Sequence, residues 1–357
     1  MKVLYLLHTD WNWIKQRSQF LVEHLNNLDV DISVAYKFSL MRRSLVKNVT
    51  PVRVFPCLFL PFGLKKFFLL SAIDHMVWRS LIFFYVKFAS IDNVVVTHPL
   101  LRGYLPKSIK ITVTYDCHDD NGEFYQPGRL QNLIMAEHNA ILETADKVVF
   151  SSKYLYKKYN LGQKSTVIRN GHNLSQGFCN NSDYHRPETN NKFFNIYYFG
   201  TVSEWFDQQL LVSISNHNPR VKFTIIGPCD VPKTQHPNLV FIKAKAHHEL
   251  IKLCRAADAF IMPFQVTELT RGVDPVKLYE YIGFNVPVIS VFYPELAHFS
   301  PHVNFYSNHG ECIEVIEQMV NNAQHSNFVS ARQDRQKFLL SSSWSSRARE
   351  MLEFLES

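Results

Sequence analysis

The stretch "TYDCHDD", residues 114–120, gathers Asp116, Asp119 and Asp120 around His118 directly after a run of strand character. A carboxylate within reach of an acceptor hydroxyl can take its proton, and a neighbouring histidine can hydrogen-bond a polar substrate. Asp119 is the acid expected to act as base or orienter, with His118 beside it. Asp116 and Asp120 are expected to cap the loop or the following helix. Cys117-His118-Asp119-Asp120 could also ligate a metal, but no second ligand cluster has a matching spacing, so no metal is expected.

A second chemical pattern lies in "RGVDPVKLYEYIGFNVPVIS", residues 271–290. Asp274-Pro275 reads as the N-cap and first residue of a helix that ends near Phe284-Asn285. Lys277 then falls in the first turn, where a cation opposes the helix dipole at a cost of about 0.3–1 kcal/mol. Glu280 follows one turn later, in the weaker Lys-before-Glu order. A diphosphate seated at the helix start would reverse that penalty, satisfying both the orphan N–H groups and the ammonium. Glu280 would then be free to accept hydrogen bonds from ribose hydroxyls. The plainer alternative is a solvated Lys/Glu pair. Arg271 reads either as a further phosphate ligand or as a surface arginine.

These residues need a scaffold, and the chain of 357 residues, 46% hydrophobic, is long enough for two domains with cores of their own. Short apolar runs alternate with helical spacing, which predicts α/β architecture with parallel sheets. "KVLYLL", "NVVVTH", "KITVTYD", "KVVFSS" and "STVIRN" are strand candidates in the first half, with "LQNLIMAEHNAILETAD" as a crossover helix. "FNIYYFG", "VKFTIIGP", "NLVFIKA" and "VPVISVF" restart the alternation in the second half, together with the helix-plus-strand "HELIKLCRAADAFIMPF". The apolar rhythm lapses over 171–192. The expected division is a domain over 1–172, a linker over 173–192, a second domain over 193–338 and a C-terminal helix over 339–357. Two such halves place a ligand cleft at the carboxyl ends of their sheets.

Composition narrows the function classes. The formal charge of +7 and pI near 9.0 suit anionic partners. Six cysteines without a CxxC pair argue against a zinc knuckle or disulfide framework and fit a reducing cytosol. Neither GxGxxG nor GxxxxGK[ST] occurs, so a dinucleotide-dependent dehydrogenase and a P-loop enzyme are unsupported. The N-terminal apolar run is too short for a signal peptide, and no run reaches the ~18 apolar residues of a membrane span. Residues 41–90 interleave basic and large apolar side chains, which suits a peripheral membrane surface or, equally, core packing in two helices. Single-stranded nucleic acid could use the same mixture, but no recognition motif accompanies it and no nucleic-acid partner is expected.

"PVKLYEYIGFNVPVIS" resembles the donor-binding signature of GT-B glycosyltransferases of the family-four type. "YYFGTVSEWFDQQLL" and "RAADAFIMPF" are similar to further elements of that family's C-terminal domain, and "WIKQRSQFLVEHL", "YDCHDD" and "ADKVVFSS" match its N-terminal half more loosely. The resemblance implies two Rossmann-like domains facing across a cleft, with the C-terminal helix crossing back to the N-terminal domain. Lys277, Glu280, Gly200, Thr201, Arg271 and Tyr279 would hold a nucleotide diphosphate-sugar, which is a co-substrate, so no cofactor is expected. His118 and Asp119 would face sugar and acceptor, with Arg17, Gln19 and Trp13 near the cleft.

The implied activity is sugar transfer to a saccharide acceptor, lipid-linked, in bacterial surface polysaccharide assembly (capsule, O-antigen or exopolysaccharide). The implied location is the cytoplasm, at the inner face of the cytoplasmic membrane. One departure stands out. The family's retaining members show Glu-x7-Glu, whereas Gly272 stands eight residues before Glu280, with Glu268 and Asp274 the nearest acids, which leaves the stereochemistry open. A nucleotide-sugar epimerase of similar fold and a non-catalytic protein binding anionic surfaces are the competing readings.

Overall fold

The structure, a computed structural model, describes residues 1–13, 15–39, 50–106, 108–173, 193–321 and 330–357. The expected linker from residue 174 onward, and residues 41–49 of the basic-apolar segment, lie outside the described residues. The chain divides into two compact units, one formed by Met1–Asn170 with Trp344–Ser357 and the other by Gly171–Ser343.

Unit 1 is built on a seven-stranded parallel sheet. Its strands are β1 (Lys2–Leu7), β2 (Asp31–Lys37), β3 (Arg53–Cys57), β4 (Asn93–Val96), β5 (Thr112–Cys117), β6 (Lys147–Phe150) and β7 (Ser165–Val167), in the order β3-β2-β1-β4-β5-β6-β7. Every residue of β1 after Lys2 is buried, as a strand covered on both faces requires. Pro56 falls in β3, the edge strand, where its missing N–H breaks no ladder bond inside the sheet. Helices α1 (Arg17–Asn26), α2 (Phe68–Ala89), α3 (Arg129–Thr144) and α4 (Lys153–Tyr159) accompany the sheet.

Unit 2 repeats the plan with β8 (Phe194–Phe199), β9 (Val221–Ile226), β10 (Leu239–Ile242), β11 (Ala259–Met262), β12 (Val288–Val291) and β13 (Asn304–Tyr306), ordered β10-β9-β8-β11-β12-β13. Its helices are α5 (Gln208–His217), α6 (His247–Cys254), α7 (Glu268–Arg271), α8 (Val276–Gly283), α9 (His309–Asn321) and α10 (Arg332–Ser341). In each sheet the order reverses once, between β1 and β4 and between β8 and β11. Such reversal points, at the carboxyl ends of the strands, are where open α/β sheets bind ligands.

The last helix, α11 (Trp344–Glu356), belongs to unit 1. Ala348, Met351 and Leu355 join Val22 and Leu25 of α1 in one core cluster, Trp344 stacks on Phe20 at 5.3 Å, and Lys147 Nζ donates to the carbonyls of Phe354 and Leu355 at 2.8 and 3.0 Å.

Two readings need correction. The basic-apolar segment forms an edge strand and one long helix rather than two core helices. Of the 22 residues of α2 only Ile82 and Val86 are buried, and the helix is long and apolar enough, by length and composition, to cross a membrane. Strands β2, β3 and β13 were also not expected from the sequence.

Candidate functional site

Helix α8 is held by its apolar side. Leu278, Tyr281 and Ile282, spaced one turn apart, are buried against β8 and β11. The Tyr281 ring stacks on Phe260 at 4.7 Å, and its hydroxyl both accepts from Phe199 N and donates to Phe199 O at 3.1 Å. Lys277 and Glu280 occupy the adjoining stripe, half-buried, and among the described residues neither side chain has a hydrogen-bond or ion-pair partner.

Asp274 does not cap the helix. The N-cap is Pro275, which has no side-chain acceptor, and the first helical residue is Val276. The Asp274 carboxylate is buried and accepts instead from the Tyr279 hydroxyl at 3.1 Å, with His298 Nε2 at 3.3 Å. The N-cap Pro275 thus offers the first turn no side-chain acceptor of its own, and Leu278 N donates to the Pro275 carbonyl at 3.1 Å.

The turn after β8 faces the same lysine. Gly200 has φ 150°, and a β-carbon there would overlap Lys277 Cε and Cδ, so the lysine stem crosses the space a side chain would fill. Gly227, at φ 151°, is similarly pressed against the Gly200 carbonyl. Tyr198 donates to the carbonyl of the half-buried Thr201 at 2.7 Å and fixes the turn. Desolvation lowers the Lys277 ammonium from its ordinary range, partly offset by Glu280, and pushes the Glu280 carboxyl up to about 7.

The remaining unit 2 candidates lie elsewhere. Tyr279 is fully buried, its ring 4.7 Å from Phe299 and its hydroxyl shared between Asp274 and His298, so its contacts are those of core packing rather than of a ligand-facing residue. Arg271 is exposed on α7 and pairs with Glu268 at 3.2 Å. Both acids nearest to the missing first glutamate, Glu268 and Asp274, are thus engaged by neighbours.

In unit 1 the three acids of "TYDCHDD" separate cleanly. Asp116 is buried and receives Arg17 Nε at 3.0 and 3.2 Å, while Asp120, also buried, receives Lys158 Nζ at 2.6 Å and the Tyr159 hydroxyl at 3.3 Å. Both are ion-pair partners, not caps. Asp119 keeps a third of its side chain exposed and lies 3.5 Å from His118 Nε2. Burial raises its carboxyl above the usual range, with His118 and Arg17 pulling it back. His118 Nδ1 lies 3.3 Å from the Asp116 carbonyl, so the tautomer that donates there leaves Nε2 turned to Asp119.

Arg17 and Gln19, expected to face a ligand, are built into the protein. The Arg17 guanidinium also donates to Arg169 O at 3.0 Å and to Asn170 Oδ1 at 3.2 Å. Gln19 is fully buried and accepts from Gln16 N at 3.0 Å in a capping box. Trp13 is half-buried in the loop after β1.

Sequence reasoning did not associate His8 and His98 with His118. The three follow β1, β4 and β5, neighbours in the sheet, and His8 lies 5.0 Å from His98 and 5.8 Å from His118 between ring centroids. Desolvation, then His118 and Lys37, lower His8 to about 3, and desolvation lowers His98 as well. The available signal was a histidine within two residues of each strand's carboxyl end. Among the described residues no group of three or more His, Cys, Asp or Glu side chains is arranged to hold a metal ion.

No protein-family model and no curated protein matches the chain. Solved structures do. The chain is similar to sucrose-phosphate synthase from Thermosynechococcus elongatus, with 12% identity and a TM-score of 0.73 over 100% of this chain and 98% of that one. Anabaena HepE in complex with UDP and glucose gives 15% and 0.68, over 100% and 99%. The lipopolysaccharide outer core galactosyltransferase WaaB gives 11% and 0.65, over 99% of each chain. At these identities the likeness concerns the fold, the GT-B arrangement of two Rossmann-like α/β domains.

Proposed function

We propose that the chain is a glycosyltransferase that moves a sugar from a nucleoside diphosphate-sugar to a saccharide acceptor. One observation carries the reading: Lys277, in the first turn of α8, is half-buried, has no hydrogen-bond or ion-pair partner among the described residues, and lies across Gly200. That combination suits a diphosphate, whose charge answers both the helix end and the ammonium. Glu280, one turn on and also unpartnered, suits the ribose hydroxyls. HepE, solved with UDP and glucose, supports the ligand class by its fold.

The acceptor oxygen forms a bond to the anomeric carbon as the bond from that carbon to the diphosphate oxygen breaks. Asp119, the accessible acid of its cluster, takes the hydroxyl proton, and the diphosphate leaves with the bonding electrons, its charge met by Lys277 and the α8 amides. We assign the acceptor to lipid-linked saccharides of bacterial surface polysaccharide assembly and the reaction to the cytoplasmic side of the membrane. The family resemblance supports this, as does the fold shared with a lipopolysaccharide galactosyltransferase.

Thermal-shift measurements against nucleotides and nucleotide-sugars test the donor class, since a ligand at 100 times its Kd stabilises by about 2.7 kcal/mol. Transfer is then followed into a lipid extract. Asp119→Asn is expected to lower turnover about 10²–10⁴-fold while leaving the donor-induced shift intact. The absence of a shift with every nucleotide-sugar would overturn the donor reading, and full turnover in the variant would remove Asp119 from its role.

A further inference from the structure

The geometry points to the outward face of α2 as a docking surface for an anionic lipid bilayer, with the helix lying flat in the interfacial plane. This inference stands on that face alone and does not depend on the sugar-transfer reading.

Phe68, Leu69, Ile73, Met76, Phe84 and Phe88 are all exposed, from 55% for Phe84 to 83% for Phe88. From Leu69 onward their spacing of three or four residues, or two turns, places them in one stripe along a helix about 30 Å long. One charged side chain, the exposed Lys87, joins this stripe near its C-terminal end, between Phe84 and Phe88. Asp74 and Arg79, the other charged residues of that span, turn inward: Asp74 accepts from Leu60 N and the Tyr104 hydroxyl, and Arg79 donates to Gly103 O. Leu58, 75% exposed, extends the apolar surface beside the helix.

The opposite side of α2 is fastened to unit 1, which decides between lying on a bilayer and crossing one. Ile82 and Val86 enter the core, Trp78 meets Phe59 at 4.9 Å, and the Tyr85 hydroxyl donates to Ser33 Oγ at 2.6 Å. A span would strip those polar contacts from the sheet.

Charge selects the occupant. Residues 52–89 hold Arg53, Lys65, Lys66, Arg79 and Lys87 against a single acid, Asp74. Lys66 and Lys87 lie at opposite ends of the stripe, exposed and, among the described residues, without an ion-pair partner. A second copy of the face would set Lys66 against Lys66 or Lys87 in either orientation. Anionic head groups would meet both cations while the stripe dips into the acyl boundary.

The test uses co-sedimentation of the full chain with phosphatidylcholine vesicles containing or lacking phosphatidylglycerol, alongside size-exclusion chromatography. The wild type is expected to pellet with the anionic vesicles and far less with the neutral ones. Ile73→Glu/Phe84→Glu should lose at least about tenfold in partition, and Lys66→Gln should lose about fivefold, a loss that high salt abolishes. Val240→Glu, an exposed apolar position in unit 2, controls for added charge and should leave partition unchanged. Circular dichroism checks that each variant is folded. Undiminished pelleting of the double variant would overturn the inference, as would a wild type that ignores both vesicles. A wild-type dimer that the double variant dissociates, with no vesicle binding, would overturn it in favour of self-association.

Discussion

Among the helices that carry a cation in the first turn, at the positive end of the dipole, the protein treats α1 and α8 in opposite ways. Arg17 opens α1, and Asp116, 99 residues away, supplies a buried carboxylate that answers it at 3.0 Å. Lys277 is the second residue of α8, and the nearby Asp274 turns away to Tyr279 and His298. In unit 1 the fold completes its own ion pair. In unit 2 the Lys277 ammonium has no such partner among the described residues, as the proposed donor role requires.

The sharpest way to break this comparison is to remove the carboxylate from the completed pair. Asp116→Ala strands a guanidinium that is 4% exposed, and we expect a loss of about 3–5 kcal/mol in denaturant unfolding. Lys277→Ala should behave in the opposite sense. Folding stability is expected to stay within about 0.5 kcal/mol, while nucleotide-sugar affinity in calorimetry falls about 10–100-fold. Should stability collapse and affinity hold, the two helices would have to exchange roles.

A smaller effect sharpens the same contrast through pH. Because desolvation pushes the Glu280 carboxyl up to about 7, the folded chain binds more protons at this site than the unfolded chain between about pH 4.5 and 7. Glu280 therefore lowers stability progressively as pH rises through that window. A ligand hydroxyl donating to the carboxylate favours the ionised form. Nucleotide-sugar affinity should then climb by up to about tenfold from pH 6 to pH 8, and Glu280→Gln should flatten the slope. An unchanged slope in the variant would place the titration elsewhere.

What the sequence disclosed divides along the same line. The α8 pattern was legible because its signals are local: Lys277 and Glu280 stand out against the buried Leu278, Tyr281 and Ile282 of the same two turns. Its cap was misread because Asp-Pro predicts an N-cap from propensity, whereas the buried Tyr279 hydroxyl and His298 compete for that carboxylate. Arg17 and Asp116 could not be paired from spacing, nor could His8, His98 and His118, since strand order brings them together. Most strands were visible as apolar runs, but "NFY" of β13 is too short to carry a period. In α2 apolar residues run around the whole helix, a pattern that reads as core, and only the packed structure reveals how much of it faces outward.

The last helix has a consequence for how the chain is made. Residues 1–170 hold the whole seven-stranded sheet of unit 1, yet the flank of α1 is sealed by Ala348, Met351 and Leu355. During synthesis the first unit to leave the ribosome is thus the last to be finished, waiting with an unsealed seam until unit 2 has been translated. A premature stop just before Trp344 would spare every residue of unit 2 and injure the opposite end of the polypeptide.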